Sequence, residues 1–116
     1  MNLTTDSLLV RVYIGESDRA EHRPLYEAIV LKARQAGLAG ATVLRGAMGF
    51  GASSHLHTAK VLRLSIDLPL IIEIVDAEDK INAFLPQLQE LVGGGLITIE
   101  KVRVVHYGHG AVQPEI

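Results

Sequence analysis

A chain of 116 residues suits one domain, expected to span 1–116 with tails at 1–6 and 108–116. Hydrophobic residues make up 48% of it and mean hydropathy is +0.27, but no apolar run reaches the roughly 18 residues of a membrane span, so the apolar excess is expected in a core or an interface and not in a membrane. A net charge of −2, a pI of about 6.2 and only 4% aromatic residues argue against nucleic-acid binding, and the lack of cysteine excludes disulfides, cysteine-zinc sites and thiol nucleophiles.

The first residues, MNLTTDSLLV, lack the basic n-region and cleavage pattern of a secretory signal, so a cytoplasmic protein is expected. Residues 8–14 alternate, with Leu8, Val10, Val12 and Ile14 on one face, which predicts a strand. Ser17 or Asp18 is a candidate cap for the first helix, and Arg23-Pro24 marks either its first turn or its true start. Leu25, Ala28, Ile29, Lys32, Ala33 and Ala36 then recur at helical spacing, and Gly37 stops the helix. Residues 41–44 predict a second strand. A long polar connection, 46–60, follows.

Residues 60–66 predict a third strand, bent at Asp67-Leu68-Pro69 and continuing extended over 70–75. Asp76 is a candidate cap for a second helix, with Asp79 at its third position. Ile81, Phe84, Leu85, Leu88, Leu91 and Val92 form the cleanest amphipathic stripe in the chain. Pro86 lies inside it and predicts a kink or a later start. Gly93-Gly94-Gly95 ends the helix, and 97–107 reads as a long fourth strand. The order β-α-β-β-α-β, with right-handed crossovers, gives an α+β ferredoxin-like sandwich: four antiparallel strands with both helices on one face. The other face also carries apolar residues, so a homo-oligomer that covers it accounts for the composition.

The 46–60 stretch, GAMGFGASSHLHTAK, is where chemistry is sought first. Its glycines are spaced GxxGxG, and a strand rather than a helix is expected after them. That excludes a dinucleotide fingerprint, and without GK[ST] it is no P-loop. Its backbone could form an anion nest or a plain hairpin tip. His55 and His57, joined by His106 and His109, could hold a metal, although no carboxylate pattern supports them. Gly93 to Gly95 could be a second backbone cradle or only a helix stop. Lys101 and Arg103 could bind an anion or pair with acids across the sheet. Glu16, Asp18 and Arg19 cluster at a strand-to-helix turn, which fits capping as well as acid–base work. No nucleophile–base pair has usable spacing, so catalysis is not expected.

Several long, collinear blocks carry a resemblance. GESDR at 15–19, RPLYEAIV at 23–30, GLAGATVLRG at 37–46, GFG at 49–51, HTA at 57–59 and DLPLIIEIVD at 67–76 resemble the DUF190 family of PII-like signalling proteins. The resemblance implies a homotrimer of ferredoxin-like protomers that binds an adenine nucleotide (AMP, ADP or ATP) in clefts between subunits, with no required cofactor. It implies signalling to a partner protein through the 46–60 loop, and the family's association with fluoride exporters points to a transport protein.

By the same resemblance, Thr42 would lie near the adenine, and Gly49, Phe50 and Gly51 at the mouth of the loop. Gly46, Gly93, Gly94 and Gly95 would offer backbone to the phosphates, with Arg45, Lys101 and Arg103 as neutralising cations. Ser53, Ser54, His55 and His57 would form the partner loop. The chain departs from PII proteins in its shorter loop, the lack of a modified tyrosine at the tip, and a compressed second glycine loop without its lysine. Lys101 and Arg103 stand only partly for the paired arginines. The other reading is a trimeric metal or small-anion sensor built on His55, His57 and His106.

Overall fold

The structure, a computed structural model, describes residues 6–50, 57–58 and 68–108. In chain order the elements are β1 (Ser7–Gly15), β2 (Arg19–Ala20), β3 (Arg23–Pro24), α1 (Leu25–Gln35), β4 (Thr42–Arg45), β5 (Met48–Gly49), β6 (His57–Thr58), β7 (Pro69–Ala77), α2 (Glu78–Val92) and β8 (Leu96–Val102). β1, β4, β7 and β8 form one antiparallel sheet in the order β4-β7-β1-β8. This is the ferredoxin-like arrangement: each crossover helix skips one strand and both return to the same face.

Register explains the core. Val10 lies opposite Ile74, Val12 opposite Ile72 and Ile14 opposite Leu70, and all six are buried. The helices close over this row with Leu25, Ile29 and Ala33 from α1 and Ile81, Phe84, Leu88 and Val92 from α2. Each fully buried aliphatic side chain of this kind contributes about 1.5–3 kcal/mol relative to exposure, so this face organises the fold.

Several local expectations are corrected. The first helix takes the later of its two expected starts, at Leu25 after Pro24, so neither Ser17 nor Asp18 caps it. Asp18 instead closes the turn after β1: its Oδ2 accepts the Gly15 N–H at 2.9 Å, and its carbonyl accepts the Leu25 N–H at 2.8 Å. The residues between form a small ribbon, β2 against β3, that sequence periodicity did not reveal. Asp76 does not cap α2. Ala77 holds that position, with no side-chain cap, and Asp76 is fully buried at the strand end. Pro86 does not delay α2, which runs from Glu78 to Val92. The fourth strand ends at Val102 and not at Tyr107, because its partner β1 begins at Ser7, the residue opposite Val102. The expected third strand over 60–66 lies outside the described residues, while its continuation is β7.

Gly37 does stop α1. Its φ is +74°, the Leu38 N–H reaches the Ala33 carbonyl at 3.1 Å, and the Gly37 N–H reaches that of Arg34 at 3.1 Å. This paired bonding is the Schellman stop, which a left-handed glycine makes cheap.

Candidate functional site

Among the described residues, no element covers the sheet face away from the helices. One row across it is apolar: Leu44, Ile71, Tyr13 and Leu96 lie directly opposite one another in turn. Leu44 is 44% and Leu96 56% exposed. The next row, Thr42, Glu73, Arg11 and Thr98, is polar. There Arg11 Nε donates to Glu73 at 2.9 Å, and its Nη1 donates to Glu100, one row further on, at 2.8 Å. The hydrogen bond to Glu73, aided by the Glu100 charge, raises the Arg11 guanidinium above its ordinary value against some loss of solvation.

One end of the sheet gathers the glycine motifs. β4 runs out at Arg45, beside the first residues of β7, and Gly46 donates its N–H to the Pro69 carbonyl at 2.7 Å. A Cβ on Gly46 would meet Pro69 Cγ at 2.9 Å, and one on Gly49 would meet it at 3.2 Å. Glycine at both places lets the chain pass close to the Pro69 ring. Met48 and Gly49 then pair with Thr58 and His57, so the opening of the long loop is a short two-stranded stem. Phe50, directly after it, is 75% exposed. Arg45 forms an ion pair with Glu16, whose Oε1 is buried with no hydrogen-bond partner among the described residues.

Gly93 to Gly95 reach the same end. A Cβ on Gly95 would lie 2.7 Å from the Tyr13 carbonyl oxygen, so close packing of β8 on β1 accounts for that glycine. Gly93, at φ +61°, terminates α2. Gly94 has nothing within 4 Å of its Cβ position and no positive φ, so packing among the described residues does not account for it.

The opposite end holds the remaining cations. Lys101 pairs with Leu8 in β8, while Arg103 lies beyond the strand, and both are exposed. Only Lys101 of the two cations therefore stands in the strand. Arg45 sits in the row of Ile14 and Lys101 in the row of Leu8, six residues and about 20 Å apart along β1. Thr42 lies between them, on the open face at the edge of the sheet. The chain thus brings Arg45, Gly46, Gly49, Phe50, Gly93, Gly94 and Gly95 to one end of the sheet but leaves Lys101 and Arg103 at the other. Gly51, Ser53, Ser54 and His55 lie outside the described residues, and His57 is described in its backbone alone. Among the described residues no cluster of metal-ligating side chains forms, and no helix is long and apolar enough to cross a membrane.

Sequence reading missed the ties at this second end. Asp76 Oδ2 accepts the Ala39 N–H at 2.8 Å, the Tyr107 hydroxyl donates to the Ala39 carbonyl at 2.7 Å, and Lys80 Nζ donates to the Gly37 carbonyl at 2.6 Å. The loop leading into Thr42 is therefore held by three separate parts of the chain. One signal was available: Asp76 occupies an inward position of β7, where Leu70, Ile72 and Ile74 precede it. A carboxylate there has to find backbone donors.

Comparison with known proteins fits this architecture. A UPF0166 protein of Aquifex aeolicus (strain VF5) is 37% identical over 100 residues, covering 84% of this chain and 92% of the relative. The UPF0166 protein MJ1524 of Methanocaldococcus jannaschii is 37% identical over 97 residues, covering 83% and 89%. Among solved structures, CPII of Thiomonas intermedia K12, a nitrogen regulatory PII-like protein bound to ADP, AMP and bicarbonate, superposes with a TM-score of 0.66. That likeness covers 86% of this chain and 89% of CPII at 14% identity, and it establishes a shared PII-like fold. The family model of DUF190, "Uncharacterized ACR, COG1993", matches residues 7–104, and the chain belongs to that family.

Proposed function

We propose that this protein is a non-enzymatic PII-like regulator that assembles as a homotrimer and binds an adenine nucleotide in the clefts between subunits. The observation that carries the reading is the division of the candidate ligand groups. Glycine backbone and Arg45 stand at one end of the sheet, Lys101 and Arg103 about 20 Å away along it, so one small ligand spans both sets only where two copies meet. The open sheet face, with its row of Leu44, Ile71, Tyr13 and Leu96, offers the surface for such an assembly. CPII, with the same fold, is bound to ADP and AMP, which supports the ligand class.

In this reading Thr42 and Phe50 face the base, the backbone of Gly46, Gly49, Gly51 and Gly93 to Gly95 approaches the phosphates, and Arg45, Lys101 and Arg103 neutralise them. In the cytoplasm, binding orders the 46–60 loop above the stem of β5 and β6 and changes the surface that Ser53, Ser54, His55 and His57 offer to a partner, a transport protein. Titration calorimetry with AMP, ADP and ATP, paired with thermal shift, tests the ligand. We expect saturable heat and a rise in melting temperature with at least one of them, and neither response with any of the three overturns the reading. Sedimentation tests the assembly: a trimer at micromolar concentration is expected, and a monomer would leave the apolar row unexplained.

A further inference from the structure

Beyond Val102 the chain leaves β8 at one edge of the sheet, and by Tyr107 it has reached Ala39, which precedes β4 at the other edge. Ala39 sits beside Asp76, in the row that continues through Leu8 to Lys101. Residues 103–107 therefore cross the end of the sheet. The crossing covers three strand spacings, about 14 Å. Five residues from Val102 to Tyr107 reach at most about 17 Å when extended, and the Tyr107 side chain adds its own length, so the segment can make the crossing. Its burial agrees: Val104 and Tyr107 are half-buried, whereas Arg103, Val105 and His106 are exposed.

We propose that Tyr107 is a positioning residue: by donating its hydroxyl to the Ala39 carbonyl it holds 103–107 as a strap across the sheet end and so fixes where Arg103 is presented. The inference rests on the nucleotide-binding reading above for the role of Arg103, but the strap itself rests on the hydrogen bond and the path of the chain. Ala39 is a firm anchor, because Asp76 holds its N–H while Tyr107 holds its carbonyl. A short segment fixed at Val102 and again through Tyr107 leaves the Arg103 backbone fewer positions than one fixed at Val102 alone. Without the second tie, the segment loses the one hydrogen bond described between it and the loop before β4. Phosphate recognition by a guanidinium depends on such placement, since its fork of donors is rigid.

Tyr107→Phe keeps the ring and removes only the hydroxyl. Two measurements on the intact protein decide the matter. Amide hydrogen exchange across 103–106 should quicken in Tyr107→Phe while exchange in β1 and β7 stays at wild-type rates; unchanged exchange in 103–106 overturns the strap. ADP affinity by calorimetry should fall about three- to tenfold in Tyr107→Phe, as loss of one neutral hydrogen bond allows. On an Arg103→Gln background the same change should cost nothing further, because Tyr107 acts through Arg103. An equal loss on both backgrounds overturns the positioning role. If wild-type protein binds no adenine nucleotide, the ligand reading fails, and the exchange result still decides the strap.

Discussion

The two ends of the central sheet are built by different means. At the end of Arg45 and Gly46 the chain is packed backbone against backbone. Gly46 and Gly49 pass the Pro69 ring, and Gly95 passes the Tyr13 carbonyl, with no room for a side chain at Gly46 or Gly95 and little at Gly49. At the end of Ala39 the backbone is held by side chains, with Asp76, Tyr107 and Lys80 each donating to or accepting from one loop. The contrast changes what a glycine-rich motif means here. Gly46, Gly49 and Gly95 are required by the fold whether or not a ligand binds, so their presence alone is no sign of a phosphate cradle. Gly94, like Gly40, meets nothing at its Cβ position among the described residues, so packing there does not demand a glycine.

The largest expected effect lies at the side-chain end. Asp76→Ala deletes the acceptor for the Ala39 and Ala77 N–H groups at a fully buried site, and we expect a loss of about 3 kcal/mol in urea unfolding. A variant as stable as wild type would show that the loop before β4 does not depend on that tie. Next comes Gly95→Ala, whose Cβ would collide with the Tyr13 carbonyl oxygen and Val92 Cγ1, each at 2.7 Å. Separation of β8 from β1 should cost about 2 kcal/mol, measured the same way. Little or no loss would mean that this end yields more easily than its geometry implies. The smallest effect belongs to Gly94→Ala, expected to change stability by less than about 0.5 kcal/mol because the site is open. If its backbone approaches a ligand, ADP binding should weaken all the same. Unchanged ADP affinity in that variant would remove Gly94 from the proposed site and leave both ends purely structural.

Much of the fold was legible in local pattern. The alternation from Leu8 to Ile14 and the stripe from Ile81 to Val92 identified the buried faces of β1 and α2, because a strand repeats every two residues and a helix every 3.6. The candidate site was less legible. Asp76 and Asp18 are chemically good caps near helix starts, but caps depend on a geometry that sequence does not specify. Their oxygens went instead to Ala39, across 37 residues of chain, and to Gly15. The length of β8 was misread for a related reason: 97–107 is rich in β-branched residues, but a strand continues only while a neighbour runs beside it.

By itself, the sequence determined the order of the two helices and the four strands of the main sheet, the helix-facing core and membership of the DUF190 family, since periodicity and collinear motifs are properties of neighbouring residues. Tertiary structure alone decided that Arg45 and Lys101 stand at opposite ends of one sheet, that Gly46, Gly49 and Gly95 answer to packing, and that residues 103–107 cross from β8 to Ala39. Those facts follow from strand register and the reach of the chain, which relate residues far apart in sequence and leave no mark in any short stretch of it.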